Sequence, residues 1–211
     1  MDFIKEPMAI ENRSMELIAP HLEGLGLDER ATKLYSRLIH ASGDVGYAPI
    51  TRVHPAAIDR AIEALKAGAH IYTDVEMVRT GINKKKLASF GGEVHCLVAD
   101  PDVAVRAKAE GITRSMVAMR QFGKDLDGNI VAIGNAPTAL FEVLRLVREE
   151  GIRPACIVGI PVGFVGAAES KAALAENGIV PYITVEGTKG GSPIAAAAIN
   201  ALMYLIDNTR P

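Results

Sequence analysis

The chain has 211 residues, 49% of them hydrophobic, and 23 Lys and Arg against 25 Asp and Glu give a formal net charge of -2. That balance lacks the positive excess with which a general nucleic-acid binder neutralises phosphates, and five Phe, five Tyr and no Trp leave few platforms for stacking bases. The apolar content can fill a sizeable core, so a single globular domain spanning 1–211 is expected.

Residues 1–14 carry Asp2, Glu6 and Glu11 where a secretory signal would have a basic start and then an apolar run, so a cytoplasmic protein is expected. Asp28 can cap a helix in which Ala31, Leu34, Tyr35, Leu38 and Ile39 form one buried stripe, ending near Ser42-Gly43. A second helix is predicted to start at His54-Pro55, where Pro is tolerated in the first turn, and to stop at Gly68. No strand is expected in residues 1–68, which read as a helical N-terminal extension.

From residue 69 onward the pattern changes. Short, β-branched runs at 70–73, 93–99, 129–134, 154–160 and 181–186 are bounded by Gly, Pro or Asp and read as five strands. Helical stretches separate or follow them: a broken one over 76–90, then 102–109, 115–122, 137–150, 167–177 and 192–206. Strands that are apolar nearly throughout and alternate with helices predict a parallel sheet covered on both faces, and right-handed crossovers then give a three-layer, doubly wound, mainly parallel five-stranded sheet over 69–211. The most apolar stretch, 193–206, is too short to span a bilayer and contains Asn200, so no membrane partner is expected.

In such a sheet the ligand crevice lies beyond the carboxyl ends of the strands. Three Gly-containing loops fall there: Gly134-Asn135-Ala136-Pro137-Thr138, Gly159-Ile160-Pro161-Val162-Gly163-Phe164-Val165 and Gly187-Thr188-Lys189-Gly190-Gly191-Ser192. Each precedes a helix, so backbone N–H groups and a positive helix end can approach an anion; the simpler reading is that the glycines only turn the chain. Neither GTKGGS nor GIPVGFVG has the spacing of a nucleotide-phosphate fingerprint. His95 and Cys96 point to opposite faces of a strand, and His54 and His70 have no partner at helical ligand spacing, so no metal and no cofactor are expected. Cys96 and Cys156 sit in apolar runs and read as reduced structural thiols. Arg37 and His40, three apart near the end of the first helix, share a face and can reach one bound molecule, and a histidine so placed can donate a proton near neutral pH.

The string Arg37-Leu38-Ile39-His40-Ala41-Ser42-Gly43-Asp44 resembles the R-x-[IL]-H-A-[ST]-G-D segment of the precorrin-8X and cobalt-precorrin-8 methylmutases. Further blocks resemble the same family in order: Thr73-Asp74-Val75-Glu76-Met77-Val78, Thr113-Arg114-Ser115, residues 132–140, Pro161-Val162-Gly163-Phe164-Val165 with Glu169-Ser170-Lys171, and Lys189-Gly190-Gly191-Ser192. The resemblance implies a flavodoxin-like parallel sheet, a homodimer whose sites involve both subunits, and migration of a methyl group from C11 to C12 of the macrocycle in cobalamin biosynthesis. It makes His40 the acid. Ser14, Arg37, Thr113, Arg114 and Ser115 become substrate-binding candidates, together with Gly134, Asn135, Gly163, Gly190 and Gly191 from the loops.

A precorrin is a broad apolar disc fringed by carboxylates, so its face calls for aliphatic side chains and its rim for Arg and N–H donors. A methyl shift on it needs neither ATP nor a redox group. Two other readings stay open at this point: a tetrapyrrole carrier using the same pocket without chemistry, and a phosphate-ligand enzyme built on the Gly loops.

Overall fold

A computed structural model describes residues 3–207. Its helices are α1 (Pro7–Ile18), α2 (Glu29–Ser42), α3 (Ala57–Lys66), α4 (Glu76–Gly81), α5 (Lys84–Ala88), α6 (Pro101–Glu110), α7 (Arg114–Phe122), α8 (Pro137–Glu149), α9 (Ala167–Ala175) and α10 (Ser192–Asp207). Its strands are β1 (Thr51–Val53), β2 (Ile71–Thr73), β3 (Val94–Cys96), β4 (Ile130–Ile133), β5 (Cys156–Gly159) and β6 (Tyr182–Val185). They form one sheet in the order β1-β6-β5-β4-β2-β3.

The five predicted strands are all present and mutually parallel. The sheet nevertheless has six strands, because Thr51, Arg52 and Val53 pair antiparallel with Val185, Thr184 and Ile183. The expectation of a strandless N-terminal extension and a five-stranded sheet is therefore corrected. Three residues are too few to show the alternation by which a strand is read. The ladder continues one step as His54 N–H donates to the Tyr182 carbonyl at 2.9 Å. His54 then closes a turn, its carbonyl accepting from Ala57 N–H at 2.8 Å, and this moves the start of α3 from the expected His54-Pro55 to Ala57.

Side chains alternate across the sheet with the two-residue period of a strand. Ile130, Ala132, Cys156, Val158, Ile183 and Val185 face a core closed by α2, α3 and α10. Val131, Ile133 and Ile157 face the opposite core, closed by α7, α8 and α9. Two helical layers around one sheet result.

α2 matches its pattern closely. The Asp28 carboxylate accepts from Ala31 N–H at 2.7 Å, a cap of about 1 kcal/mol, while Leu34 and Leu38 are fully buried. Gly43 ends the helix at φ 64°, donating to the Ile39 carbonyl at 2.8 Å. α1 falls in the stretch expected to be helical, but no bounds are predicted for it. Glu6 caps it by accepting from Met8 N–H at 2.9 Å, Pro7 takes the first turn, and Ile10, Ser14, Leu17 and Ile18 follow helical spacing.

Candidate active site

The C-terminal turn of α2 is where the chemistry-bearing residues gather. α1 is tied to α2 by an ion pair between Arg37 and Glu11, whose side chains are only 14% and 16% exposed. The Arg37 guanidinium also lies 5.9 Å from the Tyr204 ring centroid. This arrangement brings Ser14 and His40 to the same depression of about 300 Å³, with Leu17, Ile18, Ile39 and Val45 as its apolar lining. His40 is exposed. The Ser14 hydroxyl donates to the Ile10 carbonyl at 2.8 Å, so its oxygen still offers lone pairs to a ligand. Arg37 does not line this depression; its charge is spent on Glu11.

Beyond the helix end, the chain turns towards the last strand-end loop. The Ser42 hydroxyl donates to the Ile39 carbonyl at 2.9 Å and accepts from Asp44 N–H at 3.1 Å. Asp44 accepts from Gly46 N–H at 2.7 Å and from the Lys189 ammonium. The hydrogen bond from Lys189 holds the Asp44 carboxyl below the usual carboxylate range. Lys189 also sits 5.7 Å from the Tyr47 ring centroid. A second depression, of about 440 Å³, opens here between Ser42, Asp44, Tyr47, Val162, Lys189 and Gly190. The HASGD string and the KGGS loop, remote in sequence, therefore form one surface, with His40 on one side of the turn and Lys189 on the other.

The glycines of these loops are used for chain geometry. Gly190 has φ +154°, and a Cβ there would stand 2.5 Å from the Ile160 carbonyl oxygen and 2.6 Å from that of Pro161. Gly191 N–H donates to the Ile160 carbonyl at 2.9 Å, and Gly163 N–H to the Thr188 carbonyl at 3.2 Å. The loops after β5 and β6 are thus knitted together. Underneath them Lys171, 1% exposed, donates its ammonium to the Lys189 carbonyl. Burial pushes Lys171 down to about 8. In sequence, a lysine on a short, Ala-rich helix gives no cue to this burial.

The loop after β4 is occupied from within. Asp74, fully buried, accepts from Gly134 N–H at 3.0 Å, Asn135 N–H at 2.9 Å and Ala136 N–H at 2.7 Å. Burial raises its carboxyl pKa, while the three donors pull it back. These are the N–H groups expected to cradle an external anion, and Asp74 takes that place. A Cβ on Gly134 would also meet Val78 at 2.6 Å and the Ser192 backbone at 2.7 Å, so close packing requires glycine there. An acid at the end of a strand, in the quoted Thr73-Asp74 block, was the signal available for this anchor.

Thr113, Arg114 and Ser115 form a separate group. Thr113 caps α7, accepting from Met116 N–H at 3.2 Å, and its hydroxyl meets that of Thr138 at 2.9 Å. Arg114 is exposed and Ser115 buried. Among the described residues no hydrogen bond or ion pair joins this group to His40. Exposed apolar side chains crown the loop after β5, with Phe164 at 93% and Val165 at 89%.

The remaining candidates divide. Cys156 is fully buried, its thiol pushed up to about 12 by burial, as a structural thiol should be. His70 does have a neighbour: β2 and β3 run side by side, and this brings His95 Nε2 to 3.2 Å from His70 Nδ1. Helical spacing could not reveal a partner supplied by strand pairing.

The chain is similar in sequence and in fold to known proteins. A precorrin-8X methylmutase family model matches residues 9–205. The chain is 41% identical over 203 residues to a cobalt-precorrin-8 methylmutase of Priestia megaterium, covering 96% of this chain and 90% of that protein. It is 44% identical over 202 residues to a precorrin-8X methylmutase of Sinorhizobium sp, covering 95% and 96%. A crystal structure described as precorrin-8x methyl mutase from Thermus thermophilus superposes with a TM-score of 0.87 at 40% identity, covering 95% of this chain and 96% of that one.

Proposed function

The chain belongs to the precorrin-8X methylmutase family, and from that premise we propose that His40 is its general acid, with Ser14 beside it to orient the substrate. The enzyme is an isomerase that moves a methyl group within precorrin-8X in cobalamin biosynthesis. The observation that carries the proposal is the depression where Ser14 and His40 meet over an aliphatic lining. An apolar macrocycle can lie on Leu17, Ile18 and Val45, which places its edge within reach of the imidazole and the hydroxyl.

Migration of the methyl group from C11 to C12 breaks one C–C bond and forms another without net change in atoms. A proton given to the conjugated ring by His40 draws electron density towards it as the methyl departs. Because the product is an isomer, giving hydrogenobyrinate or, with cobalt, cobyrinate, a proton must then leave the ring. General-acid assistance of this kind contributes on the order of 10²–10⁴-fold. The rest comes from holding the macrocycle in a reactive geometry.

The site is proposed to be completed across a homodimer. Exposure of His40, of Arg114 and of the apolar tip at Phe164 and Val165 supports this, since the two groups of candidate residues lie apart within one chain. The order of the five parallel strands, with β2 and β4 adjacent at the centre, supports the flavodoxin-like reading with β1 added at one edge. Among the described residues no helix is long and apolar enough to cross a membrane; a cytoplasmic location is part of the same proposal.

Two variants test the reading. His40→Ala is expected to keep its fold and to lose turnover of precorrin-8X by on the order of 10²-fold or more. Arg114→Ala is expected to bind substrate more weakly, and mixing the two impaired proteins to raise activity above the sum of the separate proteins if each site draws on both subunits. A carrier protein would leave the corrin chromophore unchanged on incubation with substrate, whereas the mutase converts it.

A further inference from the structure

We propose that His70, His95 and Glu93 form a site for one divalent transition-metal ion, at the edge of the sheet and separate from the His40 surface. One donor atom from each of the three residues lies within 4.8 Å of the others. His95 Nε2 and His70 Nδ1 are 3.2 Å apart. Two imidazoles bound to one tetrahedral ion, at Zn–N distances of about 2.0–2.1 Å, hold their nitrogens about 3.3 Å apart. The pair is therefore spaced as two ligands of such an ion already are.

The strand pairing explains how this comes about. β2 and β3 are parallel, with Ile71 beside Val94 and Tyr72 beside His95, so His70 stands next to Glu93 in register. Alternation puts residues 70 and 72 on one face of β2, and residues 93 and 95 on the matching face of β3.

The rings are also held in place. His95 stacks on Tyr72 at 5.0 Å between centroids, and Tyr72 is in turn met edge-on by Phe122 at 4.7 Å. The His70 backbone is fixed by its N–H bond to the Asn129 side chain at 2.8 Å, and Asn129 donates to the Asp125 carbonyl at 2.8 Å. Such supporting contacts are what orient metal ligands.

Two imidazoles and one carboxylate favour Zn²⁺, Co²⁺ or Ni²⁺ over Mg²⁺ or Ca²⁺, which prefer oxygen ligands. Ligation through His95 Nε2 and His70 Nδ1 takes each neutral ring in the tautomer that carries its proton on the other nitrogen, and displaces the bond from Glu93 N–H to His70 Nδ1, now 3.2 Å long. Glu93 is exposed and free to swing its carboxylate in, which leaves a fourth position for water. β3 is a terminal strand of three residues that, among the described residues, pairs only with β2, so an ion bridging the two strands pins that edge. Binding of the ion to the folded chain alone raises the melting temperature by mass action.

The test uses the untagged full chain, stripped with chelator and titrated with Zn²⁺ and Co²⁺ in a calorimeter. One equivalent of metal is expected, with tetrahedral Co²⁺ absorption in the visible and a raised melting temperature. His70→Ala and His95→Ala should each weaken binding on the order of tenfold or more. Glu93→Gln should weaken it less, and His21→Ala should not change it. Because His95 stacks on Tyr72, His70→Gln serves as a second variant whose fold is checked by circular dichroism. Binding that survives both histidine substitutions, or absence of saturable uptake by the folded wild type, would overturn the proposal.

Discussion

Lys189 donates its ammonium to the Asp44 carboxylate, and through that bond the loop after β6 is held against the turn that follows His40. Both side chains are about half exposed, at 49% and 42%, so the pair positions more than it stabilises. Lys189→Met is expected to leave the melting temperature almost unchanged while raising KM. Added salt should produce the same drift in the wild type, because exposed pairs are screened. Steady-state kinetics across ionic strength check both expectations.

Asp74 carries a different kind of load. Its carboxylate satisfies three backbone donors in the buried loop after β4. Asp74→Ala strands these donors and is expected to cost at least about 2 kcal/mol in urea unfolding, since each buried unmet group costs about 1–3 kcal/mol. Because Asp74 fills the nest, calorimetry with inorganic phosphate or ATP should detect no binding there, and that result would remove the phosphate-ligand alternative.

Gly190 and Gly163 both have φ values that L side chains rarely adopt, but only Gly190 is crowded. A Cβ there meets carbonyl oxygens at 2.5 and 2.6 Å, whereas one on Gly163 meets only the Ala167 methyl at 3.9 Å. Gly163→Ala should cost about 1–3 kcal/mol for the strained conformation alone. Gly190→Ala should cost more and displace the Lys189 loop. Parallel denaturant titrations give the ranking.

The Lys171 amine, shifted down to about 8 by burial, predicts a pH dependence. Below pH 8 it is protonated in both folded and unfolded chains. From about 8 to 10.5 the unfolded chain holds the proton and the folded chain does not, so unfolding takes up protons and stability rises with pH through that window. Lys171→Met should abolish that component of the rise, and comparing the two stability curves between pH 7 and 10.5 checks it.

Much of this architecture was legible from residue patterns. Five apolar runs became five parallel strands, and Asp28 and Gly43 bound α2 as their chemistry requires. What escaped is local in a different way. β1 is too short to alternate and exists because β6 offers it an open edge. α1 is amphipathic, but its polar face and its Glu11 only acquire meaning once Arg37 is seen beside them. The loop glycines leave an anion cradle and a tight turn both open in sequence, because the two use the same residue; Asp74 and the clash at Gly190 separate them only in three dimensions. Arg37 and His40 share a helix face by spacing, yet the ion pair with Glu11 draws Arg37 away.

The account rests most heavily on His40, and single-turnover conversion of precorrin-8X by wild type and His40→Ala, with product binding measured in parallel, tests it most directly. The expected result is a folded variant that still binds product while methyl migration slows on the order of 10²-fold or more. Unimpaired turnover in a folded His40→Ala protein would contradict it.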